Sequence, residues 1–116
     1  MKKAFSPNEI SILFLEYLNA GNLEGVVSLF EPNAIIATGS QVFVKGTNEI
    51  KAYFEQLISH NPQFNKVHHD LPIINGDIAL TSTRVPNALI TIEVCRKQKD
   101  GSWLWFIDQP NIFNQI

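Results

Sequence analysis

Two acidic side chains near the C-terminus have the type and placement that acid/base chemistry requires. Glu93 and Asp108 each interrupt an apolar, strand-like run, in residues 88–96 and 103–108. In an apolar pocket, desolvation raises the pKa of both carboxyl groups, and mutual repulsion makes the two titrate as a coupled pair. One protonated and one ionised carboxyl group form an acid/base arrangement. We therefore predict that Glu93 and Asp108 are the catalytic residues if the protein is an enzyme.

The segment between the two runs predicts that these acids face each other. It contains Asp100-Gly101, a strong hairpin signal. A two-residue turn at this dipeptide sets Val94 opposite Ile107 and Glu93 opposite Asp108. Opposed residues project from one face of a sheet, and like charges there are destabilising. Such a pair indicates a function, a shared proton or a cationic partner, although the acids could instead lie exposed at a sheet edge.

Both faces of the predicted hairpin are largely apolar. Alternation assigns to the acids' face Thr91, Glu93, Cys95, Leu104, Phe106 and Asp108. The other face then carries Ile92, Val94, Trp103, Trp105 and Ile107. Because the acids favour a pocket on their own face, we expect the second face to meet another subunit. A homodimer through Ile92, Val94, Trp103 and Trp105 is the resulting prediction.

Other side chains are candidates for binding a small-molecule ligand. We predict a partly apolar pocket lined by Phe14, Tyr53, Phe54 and Phe106. Thr38 is expected to orient the ligand by a hydrogen bond. Arg84 is a candidate for a second orienting group or a counter-ion of the acids. If Arg84 points inward, the acids could form a structural ion pair without chemistry.

Composition narrows the class of protein. The chain has 116 residues, 45% hydrophobic and 17% charged, which predicts one globular domain spanning residues 1–116. A net charge of -2 argues against nucleic acid as a partner. With Cys95 alone, no internal disulfide forms. The N-terminus lacks the apolar stretch of a signal peptide, and no run is long enough to span a membrane, so we expect a soluble cytoplasmic protein.

Metal and cofactor motifs are not evident. His68-His69-Asp70 is the cluster most like a metal site, but adjacent strand residues point to opposite faces. Phosphate-binding, dinucleotide-binding and serine-hydrolase motifs are missing from the sequence. We therefore predict neither a metal nor a cofactor.

The order of elements predicts an α+β fold. Ser6-Pro7-Asn8-Glu9 resembles a capping box that begins a first helix, Asn22 caps a second, and Thr47 caps a third. After Pro62 the pattern changes to strands, at residues 66–74 and 78–85 and then in the hairpin of the two acids. Helices packed on one face of a strongly curved sheet enclose a hollow that suits a ligand, and the family resemblance described below implies that this sheet is mixed.

Several of these segments resemble the nuclear transport factor 2-like superfamily, in particular its SnoaL-like, DUF4440-type and ketosteroid isomerase-related members. The matching stretches are residues 14–30, Lys45-Gly46-Thr47 with Ile50, and residues 100–110. The resemblance implies a cystatin-like cone with three N-terminal helices, and often a homodimer through the outer sheet face. It also implies that many activities are open to the fold.

Ketosteroid isomerase activity is not expected, because most of its functional residues are replaced. By this resemblance the general-base aspartate falls on Thr38 and the oxyanion-hole tyrosine falls on Phe14, while the oxyanion-hole acid falls on Glu93. The favoured function is a SnoaL-like pocket for a partly apolar molecule, with cofactor-free isomerase, cyclase or dehydratase chemistry on a carbonyl compound. The alternative is a binding module without chemistry, and a dimerisation scaffold is a third interpretation.

Overall fold

Three helices cover one face of a mixed sheet in this computed structural model, which describes residues 1–39, 41–64, 67–85 and 89–112. The helices are α1 (Pro7–Asn19), α2 (Leu23–Val27) and α3 (Gly46–Ile58). The strands are β1 (Phe30–Gly39), β2 (Val42–Lys45), β3 (His68–His69), β4 (Ile73–Asn75), β5 (Ile78–Val85), β6 (Leu89–Lys97) and β7 (Trp103–Ile112). The predicted α+β class, with helices on a curved mixed sheet, is confirmed.

The sheet brings the C-terminal strands to its centre. Its strand order is β2-β1-β7-β6-β5-β3, and β4 also pairs with β5. β1 runs parallel to β7, whereas the other pairs are antiparallel. β6 and β7, which carry Glu93 and Asp108, are therefore flanked on both sides, and their inward side chains face the helices. The predicted strand over residues 66–74 is divided into β3 and β4, and residues 65 and 66 lie outside the described part.

The helix ends follow the sequence signals only in part. Asn22 caps α2 as predicted, since its Oδ1 accepts a hydrogen bond from the Gly25 N–H at 3.0 Å. The Ser6 side chain makes no cap hydrogen bond, but Glu9 accepts one from the Phe5 N–H at 2.7 Å. α3 begins at Gly46 rather than after a Thr47 cap.

The core lies between the helices and the inner face of the sheet. Its buried members include Ile10, Leu13, Leu18, Val26, Leu29, Ile36, Ile50 and Phe54. α1 and α3 present the predicted apolar stripes, and burying a side chain of this size contributes roughly 1.5–3 kcal/mol. In the described residues, the structure contains no helix of the length and apolar character needed to span a membrane.

The turn between β6 and β7 differs from the two-residue turn that we predicted. Gln98 donates its N–H to the Ser102 carbonyl at 2.7 Å, so three residues form the loop. Gly101 has φ +87°, the left-handed conformation that three-residue hairpin loops place at their last position. The longer loop offsets the strands by one residue, pairing Cys95 with Trp105.

A bulge in β7 then cancels this offset. Cys95 pairs with Trp105 but Val94 pairs with Ile107, so Phe106 is the additional residue. Residues 103–105 of β7 consequently lie on the opposite face from the one that we predicted, whereas the faces of β6 are as predicted. Trp103 and Trp105 are 5% and 2% exposed and belong to the core, so their assignment to the outer face was wrong.

Candidate functional site

A cavity of about 400 Å³ opens between the inner face of the sheet and helices α1 and α3. Its polar lining residues are Ser11, Thr38, Tyr53, Thr83, Thr91, Glu93, Asp108, Gln109 and Asn111. The others are Phe14, Leu15, Leu18, Ile36, Ala37, Gly39, Phe54, Leu57, Phe64, Val85, Leu89, Trp105 and Pro110. The volume falls within the range of small-molecule sites, and an apolar wall with few polar groups is their usual composition.

Glu93 and Asp108 are directly opposed on β6 and β7, and both line this cavity. The predicted register of this pair is confirmed. They belong to a row of inward residues that runs from Thr81 on β5 through Glu93 and Asp108 to Ile36 on β1. The two acids are 3% and 5% exposed. Burial on this scale is rare for carboxyl groups without a charged partner.

The hydrogen bonds of the two acids are unequal. The Thr81 hydroxyl donates to Glu93 Oε1 at 2.7 Å. Across the described residues, no group donates a hydrogen bond to the Asp108 carboxyl group. Ionisation of Asp108 is therefore opposed by burial and gains no hydrogen bond from the described residues, which is costly in a buried site.

Burial raises the pKa of both acids. For Glu93 desolvation is the main cause, and hydrogen bonds from Thr91 and Thr81 oppose it. The pKa of Asp108 is raised well above its usual value, by desolvation first and by the Glu93 charge second. Burial also raises the pKa of Tyr53, with a further contribution from Asp108, so this phenol lies within the field of the acids. Burial thus favours the protonated form of each of the two carboxyl groups.

Four of the six predicted ligand-binding residues line the cavity: Phe14, Thr38, Tyr53 and Phe54. Phe14 of α1 meets Phe54 of α3 with ring centroids 5.6 Å apart, and Tyr53 lies 5.0 Å from Phe54. Thr38 is half-buried at the end of β1. Whether these residues contact a ligand stays a prediction.

The structure does not bring Phe106 or Arg84 to the cavity, and both assignments are corrected. Phe106 lies on the outer face because of the bulge, beneath the Arg96 guanidinium at 4.3 Å from the ring centroid. Arg84 is exposed and donates from Nε to Asp70 Oδ2 at 3.1 Å. Because Arg84 alternates with the inward Thr83 and Val85, it cannot neutralise Glu93 or Asp108.

The sequence reasoning missed Trp105 as part of the site. This residue lines the cavity and packs against Phe14 with centroids 5.2 Å apart. Its indole N–H is buried and has no hydrogen-bond partner within the described part of the chain. Simple alternation placed Trp105 on the outer face, and no sequence signal marks the bulge that reverses it.

The two adjacent histidines project to opposite sides, as predicted. His68 pairs with Arg84 on the exposed side and approaches Asp70, with Nε2 3.4 Å from Oδ1. His69 pairs with Thr83, and its Nδ1 lies 3.1 Å from the Thr83 hydroxyl. Burial, together with the His68 charge, lowers the pKa of His69. In residues 1–39, 41–64, 67–85 and 89–112, no group of three potential ligands could hold a metal ion.

The sequence matches a known protein family over most of its length. A family model described as "SnoaL-like domain" matches residues 13–107, most of the chain. The chain belongs to the SnoaL-like domain family. The matched region of this family member includes Glu93 and nearly all of the helical wall of the cavity, and it ends one residue before Asp108. A search of curated proteins gave no significant match.

Solved structures similar to this SnoaL-like chain share its fold. One, from Thiobacillus denitrificans and named for a calcium/calmodulin-dependent protein kinase type II association domain, has a TM-score of 0.78 at 13% identity, covering 97% of this chain and 100% of that one. A Nostoc punctiforme protein of unknown function with a cystatin-like fold has a TM-score of 0.71 at 17% identity. The match covers 94% of this chain and 90% of that one. A ketosteroid isomerase-like protein from Erwinia carotovora has a TM-score of 0.69 at 12% identity. That match covers 88% of this chain and 89% of the other.

These identities are too low to carry function, so the similarities show the fold alone. The predicted resemblance to the nuclear transport factor 2-like and ketosteroid isomerase-like proteins is confirmed at that level.

Proposed function

We propose that this chain binds a small, partly apolar molecule in the cavity and exchanges protons with it, as a cofactor-free isomerase, cyclase or dehydratase of a carbonyl compound. The observation that carries the proposal is the opposed, buried pair of Glu93 and Asp108 on the cavity wall. A carboxyl group kept protonated by its surroundings donates to a carbonyl oxygen, and an ionised neighbour accepts a proton from carbon.

A titration tests the shared proton without knowledge of the ligand. The side-chain carboxyl carbons of Glu93 and Asp108 are followed by NMR from acidic to alkaline pH, in the parent and in Glu93→Gln. We expect raised pKa values for both groups, and a lower pKa for Asp108 once the Glu93 charge is removed. Ordinary values that do not respond to the substitution would refute the acid/base site.

A second function, binding without chemistry, is favoured by Thr38 and Phe14. Both line the cavity at positions where, by the family resemblance, a general base and an oxyanion-hole tyrosine would lie, and neither side chain can replace them near neutral pH. Deuterium exchange next to the carbonyl group of 2-decalone separates the two functions. Exchange accelerated by the parent and lost in Glu93→Gln with Asp108→Asn supports catalysis. Binding of the ketone without accelerated exchange supports the binding module.

We infer further that two copies associate through the outer face of the sheet. Ile92 and Val94 project from that face, and beside them Leu80 and Ile107 are 39% and 48% exposed. A contiguous apolar surface of this kind is typical of a subunit interface.

A further inference from the structure

The charged side chains that line the cavity in the described residues are both acidic. Among the described lining residues are two acids and no lysine, arginine or histidine. The arginines on the neighbouring strands are engaged elsewhere: Arg84 with Asp70, and Arg96 with Glu31 at 2.9 Å. The acids therefore receive no compensating charge from these groups, although uncompensated buried carboxyl groups are costly.

Asp108 is the more exceptional of the two acids. It is 95% removed from solvent, lines the cavity, and receives no hydrogen bond within the described residues. Glu93, by contrast, already accepts the Thr81 hydroxyl. A ligand bound in the cavity is in a position to supply a donor to Asp108, and a positively charged donor would satisfy both the hydrogen bond and the charge.

The aromatic wall adds to this preference. Phe14, Tyr53, Phe54 and Trp105 line the same cavity. Aromatic ring faces carry negative electrostatic potential and attract cations, by about 0.5–2 kcal/mol depending on desolvation. Carboxyl groups beside aromatic rings in an apolar cavity form a site for an organic cation, and both features repel a carboxylate or phosphate.

We propose that the cavity selects a partly apolar molecule bearing a protonated amine, with the ammonium group held by Asp108 and the apolar part packed against Phe14, Phe54 and Trp105. This inference rests on the proposed function, since it names the ligand class of the same site. The two are compatible because the ammonium group keeps Asp108 ionised, as the proton-accepting member of the pair, while Glu93 is the protonated member that donates to the carbonyl oxygen.

Binding of an amine should depend on pH in a defined direction. Besides Glu93 and Asp108, three titratable groups lie around the site. They are Tyr53 of α3, Cys95 on the same face of β6 as Glu93, and His69 of β3, which contacts the cavity residue Thr83. An ammonium ligand binds best when the carboxyl groups are ionised. Its affinity should therefore rise with pH, until the amine itself loses its proton near pH 9–10, close to the usual range of alkyl amines.

Three probes of one shape and different charge test the inference: 1-naphthylmethylamine, 1-naphthalenemethanol and 1-naphthoic acid. Their affinities are measured by calorimetry at about pH 6 and pH 8. We expect the amine to bind at least about tenfold more tightly than the alcohol at the higher pH, and the acid to bind most weakly. The amine's advantage should shrink at the lower pH.

Variants locate the effect. In Asp108→Asn the amine should lose its advantage, whereas the alcohol should stay within about threefold of its affinity for the parent. The matched control is Asp77→Asn, which removes an exposed acid from the β4–β5 turn, outside the cavity, and should leave all three affinities unchanged.

Each contrary result has its own meaning. Alcohol or acid binding as tightly as the amine overturns the inference. If Asp108→Asn and Glu93→Gln weaken all probes equally, the ligand site stands and its cation preference is wrong. No binding by any probe also overturns the inference, and the carboxyl titration then decides the acid/base site independently.

Discussion

Replacing Asp108 by asparagine should stabilise the protein at alkaline pH. Burial and the Glu93 charge raise the pKa of Asp108, so the folded protein binds this proton more tightly than the unfolded chain does. The free energy of unfolding therefore falls as pH rises above about 4, the usual aspartate pKa, and the loss is complete above the folded-state pKa. An asparagine carries no such proton and removes this loss.

The size of the effect follows from the register. Directly opposed residues have Cβ atoms about 5 Å apart, and two unit charges at that separation repel by roughly 3 kcal/mol at an effective dielectric constant of about 20. Asp108→Asn removes this repulsion when both acids are ionised. It forfeits no hydrogen bond to a donor, because the Asp108 carboxyl group accepts none in the described residues.

Urea unfolding at about pH 5 and about pH 8.5 measures the effect. We expect the parent to lose stability over this interval, and Asp108→Asn to lose up to about 3 kcal/mol less. A residual fall should persist from Glu93, whose pKa is also raised. His69 acts with the opposite sign, since its lowered pKa favours the folded state as pH rises, but it is the same in both proteins.

The control for this experiment is Asp77→Asn, at an exposed position, which should follow the parent at both pH values. A parent protein that is equally stable at both pH values, together with an Asp108→Asn variant destabilised to the same extent at each, would refute the argument. That result would mean that the Asp108 carboxyl group is well accommodated when ionised.

Three further predictions concern packing, association and reactivity. Gly25→Ala should lower the free energy of unfolding in urea by about 1–3 kcal/mol, because a Cβ there would lie 2.6 Å from the Tyr17 ring. As a control, Glu24→Ala at an exposed position should change the free energy of unfolding by no more than about 0.5 kcal/mol. Leu80→Lys with Ile107→Lys should give a monomer in sedimentation experiments, whereas lysine at the similarly exposed Ile12 of α1 should leave a dimer; a parent that is already monomeric rules out the interface. Cys95 should resist iodoacetamide at about pH 8 until the protein is unfolded, since burial raises the pKa of its thiol to about 12, and rapid alkylation of the folded protein would contradict this.

The fold could be predicted because its signals are local and consistent. The apolar stripes of α1 and α3, the Asn22 cap and the strand-rich C-terminal half are each present in the sequence. The ends of the helices were harder to predict, because several neighbouring side chains can cap the same helix. At the start of α3, the Lys45 N–H donates to Glu49 at 2.9 Å, and Thr47 is not the cap. Local patterns thus predicted the presence of elements better than their ends.

The site could be predicted only in part, because its geometry depends on two irregularities of the hairpin. The pairing of Glu93 with Asp108 was correct although the predicted turn was one residue too short, since the bulge at Phe106 restores the register. From the turn to the bulge the two faces of β7 are exchanged relative to the prediction, so Trp105 was missed and Phe106 was assigned wrongly. Neither irregularity leaves a distinctive signal in residue order alone.

The bulge has a consequence for how this hairpin tolerates deletions. Trp105 pairs with Cys95 and Ile107 with Val94, so a chain lacking Phe106 would pair continuously and keep Trp105 and Asp108 on the cavity side. Removal of a residue on either side of the bulge would instead invert or displace one of those two side chains. Phe106 is thus the position in β7 where length can vary while the cavity keeps its lining, and related sequences that differ in length here should align on either side of it.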